Sequence, residues 1–80
     1  ELKVTGFTNV TFKMDTPFKT TITGTGIVSS VSPASLTTGK TGQDVTVNFS
    51  GTGAGTLTFV ITEPGSKTKF TYTLKFYKGS

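Results

Sequence analysis

Val45-Thr46-Val47-Asn48-Phe49, then Thr56-Leu57-Thr58-Phe59-Val60-Ile61-Thr62, then Lys69-Phe70-Thr71-Tyr72-Thr73-Leu74-Lys75-Phe76-Tyr77 decide the fold. In each run an apolar side chain recurs at every second position, which is the period of a strand with one dry and one wet face. The wet positions are mostly threonine, and the chain holds nineteen of them. Threonine is β-branched and stiff at its first side-chain torsion, so it favours strands, while its hydroxyl is content in water. The alternation assigns Leu57, Phe59 and Ile61 to the interior of one strand. It assigns Phe70, Tyr72, Leu74 and Phe76 to the interior of the last, opposite Thr71, Thr73 and Lys75. Phe59 and Tyr72, each in the middle of its run, are expected in the core.

Between the last two runs stands Glu63-Pro64-Gly65-Ser66. Proline at the second position fixes φ and glycine at the third supplies a positive φ, so this reads as a type II turn. Working back, Gly51-Thr52-Gly53-Ala54-Gly55 reads as a flexible loop before the strand over 56–62. Toward the N-terminus the same grammar gives strands over 2–5, 10–14, 18–23 and 27–31, with Val10 and Phe12 sharing one face and Phe18, Thr20 and Ile22 another. Residues 32–44 show no alternation and read as a connection between sheets. No helical period appears. About seven short antiparallel strands with turn signals every 8–12 residues predict an all-β fold, a sandwich in preference to a small barrel.

The composition narrows the chemistry. Eighty residues make a single domain, 1–80, near the lower size limit for folding without staples, and the seven Phe and two Tyr supply large side chains for its core. There is no Cys and no His, which removes disulfides, a Cys nucleophile, a His general base and Cys- or His-ligated zinc. The four acids, Glu1, Asp15, Asp44 and Glu63, are too dispersed for a calcium loop, and offer little to a paired-carboxylate glycosidase. The formal charge of +4 rests on eight lysines with no Arg, and Lys3, Lys13, Lys19, Lys40, Lys67, Lys69, Lys75 and Lys78 are scattered. That pattern argues for solubility and edge protection, and against nucleic acid, whose sites lean on clustered Arg. No stretch is long and apolar enough to span a membrane, and no signal peptide is visible. Beginning at Glu1, the chain reads as an excised domain or processed product, and Gly79-Ser80 as a possible expression scar.

The run Gly53-Ala54-Gly55-Thr56-Leu57-Thr58-Phe59, then Gly65-Ser66-Lys67, then Phe70-Thr71-Tyr72-Thr73-Leu74, resembles the end of bacterial immunoglobulin-like domains. In that family an Ala-Gly-Thr step opens the penultimate strand, and a glycine-containing hairpin leads into an alternating final strand. Such domains are modules of phage virion proteins, capsid decoration and tail-tube proteins among them, and of bacterial surface adhesins. The resemblance implies an immunoglobulin-like sandwich and a non-catalytic module displayed on a virion surface. Its implied partners are a neighbouring domain or the capsid, with weak adhesion to cell-surface glycans or other polymers, and the isolated domain is expected to be monomeric. Alternatives are a spacer or binding module of a bacterial adhesin, at the cell surface or secreted, and a carbohydrate-binding module of a secreted enzyme.

Several local patterns invite other readings. Ala34-Ser35-Leu36-Thr37-Thr38-Gly39-Lys40-Thr41 satisfies a relaxed phosphate-loop pattern, but the chemistry needs a helix after the loop and here an alternating strand follows. The Gly51, Gly53, Gly55 run is not a dinucleotide fingerprint, for the same reason. Threonine ranks resemble ice-binding surfaces, yet no fixed-period repeat supplies a long flat array. Asn9-Val10-Thr11 and Asn48-Phe49-Ser50 are sequons, expected by chance in a chain this rich in Ser and Thr. Phe7 and Tyr77 are candidates for stacking on sugars, and residues 39–42 and 51–55 for contact loops. No catalytic, cofactor or metal-binding residue is assigned, and no ligand-binding residue is fixed.

Overall fold

A computed structural model describes residues 2–5 and 8–79. Among the described residues there are eight strands and no helix: β1 (Leu2–Thr5), β2 (Asn9–Thr16), β3 (Lys19–Gly26), β4 (Val28–Ser32), β5 (Ser35–Leu36), β6 (Lys40–Phe49), β7 (Gly53–Thr62) and β8 (Lys69–Gly79). They form two sheets. One has five strands in the order β1-β8-β7-β3-β5; the other has three, β2-β6-β4. All neighbours are antiparallel except β1, which runs parallel to the end of β8, Leu2 beside Phe76 and Thr5 beside Gly79. An immunoglobulin sandwich places its B, E and D strands in one sheet and C, F and G in the other. With β2, β6 and β4 as B, E and D, and β3, β7 and β8 as C, F and G, this chain has that order.

The two sheets close on a core of Ile22, Leu36, Val45, Val47, Leu57 and Phe76, against which Phe12, Met14, Ile27, Val28, Val31, Phe49 and Phe59 pack. Edge-to-face ring pairs join the layers: Phe12 with Phe59 at 6.4 Å between centroids, and Phe49 with Phe76 at 5.6 Å. The hairpin between β7 and β8 turns as its residues require. Ser66 N–H donates to the Glu63 carbonyl at 3.3 Å and Gly65 takes φ of 71°.

Three expectations need correction. The irregular stretch 32–44 is shorter than its sequence suggests: β5 pairs Ser35 and Leu36 with β3, and β6 begins at Lys40, five residues before the alternation becomes visible at Val45. Residues 51–55 are not one loop, because Gly53, Ala54 and Gly55 open β7 opposite Lys78, Tyr77 and Phe76. Gly55 is there because the Phe76 ring lies against it; a Cβ would stand 2.8 Å from Phe76 Cζ. The third correction concerns β8. Phe76 is 3% exposed, but Phe70, Tyr72 and Leu74 on the same face are 47%, 60% and 42% exposed. Phe59 does pack against the core, only partly buried; Tyr72 does not.

Not every threonine is wet. Thr16 and Thr20 are buried, together with Gln43. Thr16 Oγ1 donates to the Thr37 carbonyl at 2.5 Å and accepts from Gln43 Nε2 at 3.0 Å. Thr37 N–H donates to Gln43 Oε1 at 3.2 Å, and Gly39 N–H to the Thr16 carbonyl at 2.6 Å. These bonds give the backbone of 37–40 buried partners that a regular ladder would otherwise supply. Thr16→Val keeps the shape and removes the hydroxyl, leaving the Thr37 carbonyl and Gln43 amide short of a partner. The expected loss is about 1–3 kcal/mol, read as a drop in the urea midpoint with unchanged slope.

Candidate interaction surfaces

Two surfaces stand out, and strand pairing builds both. The first is the outer face of the five-stranded sheet. Register across β3, β7 and β8 places side chains in rows: Lys19, Thr62, Lys69; Thr21, Val60, Thr71; Thr23, Thr58, Thr73; Thr25, Thr56, Lys75. Neighbouring hydroxyls bond across strands, Thr58 with Thr73 at 3.4 Å and Thr25 with Thr56. The result is a hydroxyl face with lysines at both ends of the array. A short, twisted, three-strand array of this kind is no lattice match of the sort ice-binding sheets present.

The second surface is a cleft on the open side of the sandwich. Val10 and Phe12 of β2, Val47 and Phe49 of β6, Leu57 and Phe59 of β7, and Leu74 and Phe76 of β8 line a cavity of about 300 Å³. Its walls are wholly apolar. It exists because the layers are unequal and crossed. At one end Phe49 of β6 stands over Phe76 of β8; further along, Phe12 of the edge strand β2 stands over Phe59 of β7. Packed sheets cross at roughly 30°, so the narrow sheet slides off β8 as the chain passes from Phe76 toward Phe70. That overhang exposes Phe70, Tyr72 and Leu74.

The residues singled out from sequence are dispersed over this frame. Lys40 and Thr41 of the phosphate-loop lookalike lie in β6, with a strand where a helix N-terminus would be needed, and the N–H of the next residue, Gly42, is donated to Asp15 Oδ1 at 2.9 Å. Asp44 pairs with Lys13 at 2.8 Å across β2 and β6, both well exposed, an arrangement worth at most about 1 kcal/mol. Among the described residues no three acids come together as metal ligands. Tyr77 is 46% exposed, on the face opposite Phe76. Phe7 lies outside the described residues. Asn9 is exposed, and half-buried Asn48 donates to Ser30 Oγ at 3.0 Å. Lys78 departs from the solvated pattern of Lys13, Lys19, Lys40, Lys67, Lys69 and Lys75 and is only 9% exposed.

Nothing in the sequence pattern points to the cleft. Its lining is the set of side chains that alternation sends inward, and alternation gives the face of a strand, never what lies across from it. No family model, no curated protein and no solved structure matches the chain.

Proposed function

We propose that the chain is a non-catalytic immunoglobulin-like module of a phage virion protein, displayed on the capsid surface and adhering weakly to cell-surface polymers. The hydroxyl face of β3, β7 and β8, flanked by Lys19, Lys69 and Lys75, is the observation that carries this reading. Threonine hydroxyls exchange hydrogen bonds with water and sugars alike, and the lysines add a screened attraction to anionic polymers. The resemblance of 53–74 to bacterial immunoglobulin-like domains supports a virion origin.

Antibodies raised against the folded domain should decorate intact virions in negative-stain microscopy. Labelling of host cells alone, with virions bare, would replace the virion by a bacterial surface protein. Adhesion has its own measurement: titration with an anionic bacterial surface polysaccharide should shift the amides around Lys19, Lys69 and Lys75. The shifts should vanish as salt rises to about 1 M, where the Debye length falls from about 8 Å to about 3 Å. Salt-resistant binding would instead point to a carbohydrate-binding module.

A further inference from the structure

The exposed aromatics of β8 and the bare edge of β2 belong to one incomplete layer. At the level of Phe12, β2 stands over β7, whose neighbour on the open side is β8. Strands within a sheet lie about 4.8 Å apart. One more strand beside β2 would therefore stand over β8, where Phe70, Tyr72 and Leu74 are 47%, 60% and 42% exposed. Among the described residues β2 pairs only with β6, so its other edge offers unpaired backbone donors and acceptors to such a strand. Side chains at every second position of the incoming strand would reach the β8 aromatics and the apolar cleft of about 300 Å³ beside them.

We propose that this edge takes up a single extended segment of a partner polypeptide, hydrogen-bonded to β2 and apolar at alternate positions. Backbone pairing would supply affinity and the cleft would supply selectivity for the alternate side chains. The positions between should carry acids. The chain holds eight Lys against four acids, and Lys13, 70% exposed on the outward side of β2, would adjoin those positions. A second folded copy does not fit. If two β2 strands paired with each other, the space beneath the partner's strand would already hold the partner's own β7. The overhanging β8 would then have nowhere to go. This docking goes beyond the adhesive reading, uses the opposite face of the same sheet, and holds whichever parent carries the chain.

The test uses the intact chain and a synthetic peptide as long as β2, alternating valine with glutamate and threonine. Amide exchange and backbone shifts should report saturable binding, with new protection along Asn9–Thr16 and shifted ring signals from Phe70 and Tyr72. The same peptide N-methylated at the residues that face β2 loses several hydrogen bonds at once and should bind more than about tenfold more weakly. Tyr72→Lys, at an exposed position, should weaken binding while leaving the melting temperature nearly unchanged. Equal binding by the N-methylated peptide would overturn the proposal, as would shifts confined to the threonine face. Absence of binding at millimolar peptide would also end it. So would a concentration-dependent dimer of the free chain that protects the same β2 amides.

Discussion

Phe76→Ala should lower stability by about 3–5 kcal/mol, whereas Tyr72→Ala, four residues away on the same face of the same strand, should cost less than about 1 kcal/mol. Phe76 is 3% exposed, caps Gly55 of β7 and meets the Phe49 ring edge to face at 5.6 Å. Removing it leaves a cavity between the layers that the Gly55 backbone and the Phe49 ring cannot both move to fill. Tyr72 is 60% exposed, so truncating it returns little surface to water. For a domain whose total stability is of the order of 5–15 kcal/mol, the first substitution threatens folding and the second does not. Urea midpoints for the two variants measure the contrast. Equal losses would mean that β8 is covered along its whole length, and the open cleft would disappear with that result.

That contrast marks the limit of what alternation reveals. The pattern over 69–77 assigns Phe70, Tyr72, Leu74 and Phe76 to one face, and the register with β7 puts them beside Ile61, Phe59, Leu57 and Gly55 of the same face. Whether that face is covered depends on the width and crossing angle of the other sheet, which are properties of distant strands. The same reasoning explains the short reach of the sequence at β6. Lys40 to Asp44 carry no apolar alternation because the inward position there is Gln43, whose amide bonds Thr16 and Thr37 in place of apolar packing. A strand end satisfied by buried hydrogen bonds looks like a loop to any pattern built on hydrophobicity. Threonine misleads in the same way. Those at 21, 23, 25, 56, 58, 71 and 73 stand in the outer rows as the pattern implies, while Thr16 and Thr20 are buried. The hydroxyl permits either, provided a partner is in reach; Thr20 finds one in the Phe18 carbonyl at 3.0 Å.

The two faces of the larger sheet therefore offer different kinds of contact. The outer one is polar and ordered by cross-strand register, a face of hydroxyls and lysines whose individual contacts are solvated and screened. The inner one, where it overhangs, is apolar and lies beside an unpaired strand edge, suited to one specific segment. Substitutions should separate them. Charge changes at Lys19 or Lys69 act on the first, and changes at Tyr72 on the second.

Gly26→Ala should be among the most damaging substitutions in the chain, costing about 3 kcal/mol or more. Gly26 ends β3 at the point where the chain leaves the five-stranded sheet for the three-stranded one, and its φ is 67°. An L-residue pays roughly 1–2 kcal/mol for that conformation before any contact is considered. A Cβ there would also collide with the Ala54 carbonyl oxygen and stand 3.0 Å from the Gly55 Cα. Both obstacles are backbone of β7, which is itself paired on its other side with β8, so neither can yield cheaply. The same Ala54 carbonyl accepts the Ile27 N–H at 3.1 Å, and displacing it would sacrifice a hydrogen bond worth about 0.5–1.5 kcal/mol. Gly39→Ala provides the comparison. Gly39 has φ of 78° but nothing within 4 Å of its would-be Cβ, so only the conformational cost of about 1–2 kcal/mol should appear. The difference between the two variants, measured in urea at one temperature, isolates the price of steric conflict between the sheets' crossing point and β7. Equal losses would show that the chain at Gly26 is not pressed against Ala54, and that the sheets are joined more loosely than the packing of Ile27 and Phe76 requires.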